Sequence, residues 1–306
     1  MKHINEKEKL EKITKATDSL VLIKENAYCK IFLADINGVK QIIKIYKGDD
    51  PALAIQEAEA ANLLHKITSA TGGMLDSQAI SIDEASNIVK LSFVPGDCFV
   101  KYLYRARSSK EARKLCIKLM ETLGRFLRNL HLQTRVKGGK TDPFMFEYIK
   151  FCSNNLEKLP LLGNLLFKGV KNDADLLSDE LQNSGLAPSY IHGDFVFRNM
   201  HANDDKIGLI DFANAIPLSH TLNDVYNLRI ALGNMWLSRS FKKELIKALE
   251  DGIGDLKFPE IAHHFYFEYH RRRWLMLKLK SKNPWSLFQA FRGLMSFARA
   301  SSMKNI

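Results

Sequence analysis

The stretch His192-Gly193-Asp194-Phe195-Val196-Phe197-Arg198-Asn199, followed by Ile210-Asp211-Phe212, decides the reading of this 306-residue chain. It sets a carboxylate and an amide on one polar turn. A second carboxylate ends an apolar, strand-like run from Ile207 to Ile210. Mg2+ prefers oxygen ligands in octahedral geometry and takes water and substrate phosphates for much of its shell. One carboxylate and one amide oxygen are an economical pair of protein ligands for it. A further, unligated carboxylate can accept a hydroxyl proton. The three groups together are the minimum set for phosphoryl transfer from a nucleotide.

Upstream of this stretch the first 95 residues read differently from the rest. Ser19–Ile23, Cys29–Ile36 and Val39–Tyr46 are short runs rich in Val, Ile, Leu, Phe and Tyr, and Asn37-Gly38 between the last two is a type I′ hairpin signal. Asp50-Pro51 predicts a helix cap with Pro at the first helical position, followed by the Ala-rich body Ala52–Ile67. Ala79–Ile82 and Asn87–Phe93 read as two more strands, and Pro95-Gly96 breaks the pattern. Beyond it, Leu115, Leu119, Leu123, Leu127 and Leu130 form an amphipathic stripe. Phe144–Leu159, Asn172–Gln182, Leu222–Leu237, Phe241–Leu249 and Ile261–Leu279 also read as helices, interrupted by a strand-like Ser189–Ile191. The expectation is an α+β chain: a small antiparallel β lobe over residues 1–94 and a larger, mainly helical lobe over 95–306.

The pattern H-G-D-x-x-x-x-N with a following I-D-F resembles that of the kinase-like phosphotransferases related to aminoglycoside phosphotransferases and choline kinases. The resemblance covers roughly residues 19–235. It implies a two-lobed, protein-kinase-like fold with a nucleotide-binding N-terminal lobe. It also implies an ATP- and Mg2+-dependent kinase that phosphorylates a hydroxyl of a small molecule. Asp194 would be the catalytic base, His192 would support its loop, and Asn199 and Asp211 would hold the metal. Lys44, late in the strand after the hairpin, would meet the nucleotide phosphates, with Lys47 as a competitor. Its partner would be a helical Glu, Glu57 or Glu59. The spacing to Leu64 favours Glu57, and only one of the two can face the sheet. Lys90 to Gly96 is similar to the strand whose backbone meets the purine, Leu123 to His131 to the helix beneath the catalytic loop, and Asp224 to the residue that buttresses that loop.

Three departures matter. The loop expected to cover the phosphates, Lys24 to Lys30, contains no glycine, so side chains such as Asn26 or Lys30 must do what backbone amides do elsewhere. Gly193 and Val196 stand where protein kinases carry Arg and Lys, and no A-P-E follows Asp211, which disfavours a protein kinase switched by loop phosphorylation. Phe212 is followed by Ala213 rather than Gly.

The balance of 45 Lys+Arg against 34 Asp+Glu gives a net charge of +11. Seven Lys/Arg fall between Lys101 and Lys118, and nine between His263 and the end of the chain. Such asymmetry points to an anionic partner. It disfavours a polycationic aminoglycoside as acceptor and favours a sugar or an anionic, lipid-linked glycoconjugate. An amino alcohol of the choline or ethanolamine type stays open, because His263 to Tyr269 offers aromatics for an ammonium cage and Glu268 a countercharge. Arg271-Arg272-Arg273-Trp274 suggests peripheral contact with an anionic membrane face. A pseudokinase scaffold is motivated by the glycine-free loop, and a basic nucleic-acid-binding protein leaves the spacing of Asp194 and Asp211 unexplained, so nucleic acid is an unfavoured partner. Four Cys without C-x-x-C spacing, no apolar run long enough to span a bilayer and no visible secretory signal lead to a cytoplasmic expectation, with attachment at most to the inner face of a membrane.

Overall fold

The computed structural model describes residues 6–48, 50–75, 77–159, 169–281, 283, 286 and 289–290. The chain divides into two compact units, residues 1–134, 190–217 and 237–255 in the first, and 135–189, 218–236 and 256–306 in the second.

The first unit begins with α1 (Glu6–Lys15) and a five-stranded antiparallel sheet of β1 (Ser19–Glu25), β2 (Cys29–Ile36), β3 (Val39–Tyr46), β4 (Ala79–Asp83) and β5 (Ile88–Ser92). Its strand order is β1-β2-β3-β5-β4. Asn37 and Gly38 both take positive φ, 54° and 76°, so the β2–β3 turn is the type I′ connection expected. One face of the sheet, with Phe32, Ala34, Ile43, Ile45 and Ile88, packs with Ile13 of α1. The other carries Lys44 and Tyr46, which reach Glu57 of α2 (Ala52–Ser69). Pro51 is the cap of α2 rather than its first residue; Asp50 still accepts a bond from Ala52 N through Oδ1 at 2.9 Å.

The Pro95-Gly96 break lies inside this unit, not at its edge. The chain that follows forms β6 (Asp97–Cys98), which pairs with β8 (Met200–Asn203), and β8 pairs with β9 (Lys206–Leu209). Two helices complete the N-terminal part, α3 (Phe99–Arg105) and α4 (Lys110–Thr134). The boundary between 94 and 95 therefore differs from the division the contacts draw, because β6 ties the chain after the break to β8 in the same unit.

The second unit holds α5 (Phe144–Glu157), α6 (Val170–Asn183), α7 (Thr221–Gly233) and α9 (Glu260–Lys280), whereas α8 (Arg239–Ile253) packs on α4 in the first. At that crossing a Cβ on Gly124 would lie 2.2 Å from Leu249 O, and one on Gly252 2.1 Å from Glu121 O, so both glycines are needed for the approach. The short strands β7 (Ser189–Ile191) and β10 (Ile216–Ser219) lie where the chain passes between units. In the second unit, Cys152, Leu156, Val170, Leu275 and Met276 form a buried cluster of α5, α6 and α9. Among the described residues no helix is long and apolar enough to cross a membrane.

Candidate active site

The residues that matter lie within the first unit. β8 and β9 form a hairpin whose open end sets the geometry: Met200 pairs with Leu209, and Ile210 N donates to Asn199 O at 3.0 Å. Asn199 just before β8 and Asp211 just after β9 are thereby brought side by side. Asp211 sits in the left-handed region with φ 69°, a conformation costly for most residues and found where structure over-determines it.

The preceding turn is built around Asp194. Asn199 Nδ2 donates to Asp194 Oδ2 at 2.8 Å and to Asp194 O at 3.0 Å. Arg198 Nη2 donates to the same Oδ2 at 3.0 Å. One carboxylate oxygen of Asp194 is thus held twice. The amide of Asn199 spends its nitrogen on this hold, which leaves its oxygen as an acceptor, and Asn199 is one of the residues that line the cavity. Gly193, with φ 80°, makes the turn possible: a Cβ there would lie 1.8 Å from Asn214 O. The large residue expected at this position in protein kinases has no room.

His192 is fully buried and its pKa is pushed below the usual imidazole value, chiefly by burial. Asp194 N can only donate, so His192 Nδ1, 3.3 Å away, accepts; the ring proton is then on Nε2, 3.1 Å from Ile210 O. The neutral ring ties the Asp194 turn to the end of β9. Phe126 of α4 stacks on Phe195 with centroids 6.4 Å apart, placing that helix against the loop as expected.

Lys44 is 4% exposed and bridges two acids, Glu57 Oε1 at 2.5 Å and Asp211 Oδ1 at 2.8 Å. Burial opposes its charge, but the two carboxylates outweigh it and raise its pKa. Burial likewise works against the Asp211 carboxylate, yet Lys44 holds its pKa below the ordinary value. Glu57 is the helical partner, fully buried, while Glu59 is exposed. Glu57 is also anchored by two groups the sequence reading did not single out: the Tyr46 hydroxyl donates to Oε2, and Phe212 N to Oε1 at 3.2 Å. Lys47 turns away to Glu25 Oε1 and Asn26 O, each at 2.8 Å, and does not compete with Lys44.

Lys44, Arg198, Asn199 and Asp211 open on a cavity of about 340 Å³, within the range of small-molecule sites. Ile23, Ile31, Ile42, Leu91, Phe93 and Val94 give it apolar walls, and Lys24, Lys44, Arg198, Asn199 and Asp211 a polar end. Phe93 and Val94 belong to the segment expected to meet a purine. Two expected residues are not brought here. Asn26 spends its side-chain oxygen on Tyr28 N and Cys29 N, at 2.7 and 2.8 Å, and Lys30 pairs with Glu25 at 3.9 Å. Neither lines the cavity.

The donor set suits a hard divalent cation. Asp211 Oδ2 and Asn199 Oδ1 remain for it after the other atoms of both side chains are committed, and Mg2+ needs only one or two such ligands beside phosphate oxygens. Among the described residues no group of three or more His, Cys, Asp or Glu gathers as a metal cage.

Two readings of the second unit change. Phe265, Tyr266 and Tyr269 are buried in α9, and Glu268 is paired with Arg271 and Arg272, so the aromatics read as an ammonium cage are core. Arg272, read as part of a membrane-facing run, is 2% exposed and donates to Ser153 Oγ and Val170 O.

Solved structures with the same fold include a streptomycin–ATP complex of APH(2″)-IIa (TM-score 0.59, 15% identity, 97% of each chain covered). They also include amicoumacin kinase hAmiN with AMP-PNP, Ca2+ and Ami (0.61, 14%, 96% of this chain and 93% of that one). A third is a GDP complex of a mutant aminoglycoside 2′-phosphotransferase-IIIa (0.63, 15%, 99% and 100%). No curated protein matches the chain. Residues 104–258 match the phosphotransferase enzyme family (APH). That match covers half of the sequence, so the chain belongs to this family and is a kinase-fold phosphotransferase with an alcohol group as acceptor.

Proposed function

We propose that the protein transfers the γ-phosphoryl group of ATP to a hydroxyl of a small molecule, with the residues above in the following roles. Lys44, held by Glu57, binds the phosphates. Asn199 and Asp211 hold a divalent cation, which when bound neutralises charge on the phosphate oxygens. Asp194, pinned through Oδ2, offers Oδ1 to the acceptor. It takes the hydroxyl proton as the acceptor oxygen attacks the γ-phosphorus in line; the bond to the bridging oxygen breaks and ADP leaves with its electron pair. His192 and Gly193 keep the turn in the shape that aims this carboxylate. The observation that carries the reading is the convergence of Lys44, Asn199 and Asp211 on one cavity, with Asp194 joined to it through Asn199 Nδ2 at 2.8 Å. The same convergence argues against a pseudokinase scaffold.

For the acceptor, the cation beside the base is informative. Arg198 lies on Asp194 and Lys24 at the cavity rim, so an acceptor with a negative group close to its reacting hydroxyl is drawn in and a polycation is repelled. This supports a sugar or sugar-linked acceptor that is neutral or anionic. A second reading, a cationic aminoglycoside, is favoured by the streptomycin ligand of one similar structure. Peripheral membrane contact has no support from Arg272, which is buried. A screen with labelled ATP, pairing uronic or phosphorylated sugars with aminoglycosides and choline, separates the readings. The proposal expects label on the anionic or neutral sugars; label on aminoglycosides alone would overturn this acceptor assignment.

A further inference from the structure

The loop between β1 and β2 contains no glycine, and its geometry shows what it has in place of one. Asn26 N donates to Cys29 O, while Asn26 Oδ1 accepts from Tyr28 N and Cys29 N. Lys47 Nζ covers Asn26 O. The turn is closed on itself, and the amides of Tyr28 and Cys29 are already spent. A loop of this kind cannot wrap a triphosphate with backbone N–H groups as an open nest does.

The strand before it supplies a charge instead. Along β1 and β2, Leu22 pairs with Phe32, and the next pair is Lys24 with Ile31, so Ile23 is an extra residue in a β-bulge. Paired residues share a face, and side chains alternate between faces along a strand. Without the bulge, Lys24 would sit opposite Lys30, on the face that carries Phe32, Ile43 and Ile45 and packs with α1. With it, Lys24 joins the row Lys24–Ile31–Lys44, because Ile31 pairs in turn with Lys44. Lys24, Ile31 and Lys44 all line the cavity, whereas Lys30 stays on the other face with Glu25.

We infer that Lys24, delivered to the cavity face by the bulge at Ile23, is a nucleotide-phosphate-binding residue that stands in for the missing glycine-loop amides. The inference rests on the nucleotide-binding reading above and adds a residue to it. Lys44 is buried and held by Glu57 and Asp211; Lys24 is exposed on a flexible stem and reaches the phosphates from the open side. The ligand it recognises is the polyphosphate tail, not the base.

Calorimetric titration of the full chain in metal-free buffer tests this, with ADP, ATP and adenosine as probes. The wild type should bind ADP and ATP more tightly than adenosine. Lys24→Ala should weaken ADP and ATP by about tenfold, the effect of one close charge contact, and leave adenosine within about twofold. Lys24→Arg should restore most of the loss, and Lys30→Ala should cost less than Lys24→Ala. An ADP-to-adenosine ratio unchanged in Lys24→Ala would overturn the inference while leaving the kinase reading intact. A wild type that binds neither nucleotide, in metal-free buffer or with Mg2+ added, would overturn both.

Discussion

Each compact unit buries a cluster of charges, and the two clusters differ in what they leave over. In the first, Lys44 sits between Glu57 and Asp211, and Asp211 keeps an oxygen on a cavity; its side chain is 32% exposed. In the second, Arg272 donates to Ser153 Oγ at 3.0 Å and Val170 O at 3.1 Å and pairs with Glu268 at 3.3 Å. Those partners lie on α5, α6 and α9 themselves, so this cluster fastens three helices together. Burying a charge is expensive in either place, and geometry decides what the cost achieves. Where the acceptors belong to the scaffold, the product is packing. Where one acceptor faces a cavity, the product is a charged surface open to a ligand.

The comparison can be broken by removing the cation on each side. Lys44→Met should lower kcat/KM by about 10²- to 10³-fold, the size expected for one aimed electrostatic contact at a transition state. Its effect on activity should exceed its effect on stability, measured as turnover and Tm on the same preparation. Arg272→Ala should do the reverse. It leaves Glu268 with Arg271 alone and strips donors from Ser153 and Val170, so stability should fall by about 3 kcal/mol, read as urea midpoint, with kcat/KM of the folded protein within about threefold. Equal effects of both substitutions on turnover would erase the distinction between the two clusters.

A smaller effect sharpens it through pH. His270 is buried in the second unit, with Nε2 donating to Asn223 Oδ1 at 2.6 Å, and burial pushes its pKa well below the usual value of 6.5. The unfolded chain therefore takes up a proton near pH 6.5 that the folded chain refuses, so stability falls as pH drops below that value. The slope from this residue is about 1.4 kcal/mol per pH unit. His270→Gln should flatten the acid limb of a Tm-against-pH curve; an unchanged slope would mean that His270 titrates freely in the fold.

Much of the first unit was legible because its signals are local. The bounds of β2 and β3 follow from the β-rich runs on either side of Asn37-Gly38, and the positive φ of both turn residues is what that dipeptide prefers. Two steps round a helix meant that only one of Glu57 and Glu59 could face the sheet, and the family's spacing to Leu64 favoured Glu57. The Asp194–Asn199–Asp211 spacing was readable because one hairpin brings its ends together. Residues whose position depends on register were not legible. Val21-Leu22-Ile23 has no alternation, so nothing in it marks the bulge that turns Lys24 over, and the polar residues Asn26 and Lys30 stand out in its place. Glu6–Lys15 is dominated by charged residues, and its helix gains a packing partner only from the sheet that meets Ile13. Arg271-Arg272-Arg273 reads as a surface run, yet α9 has neighbours on several sides, and its middle arginine is the one turned inward.

The central claim is that Asp194 takes the acceptor's proton at the edge of a nucleotide site built by Lys44, Asn199 and Asp211. Its most direct test is single-turnover transfer by Asp194→Ala, with ADP affinity measured on the same sample. The account predicts transfer slowed by about 10³-fold with ADP binding held within about threefold. Transfer at close to the wild-type rate with the nucleotide still bound would contradict it.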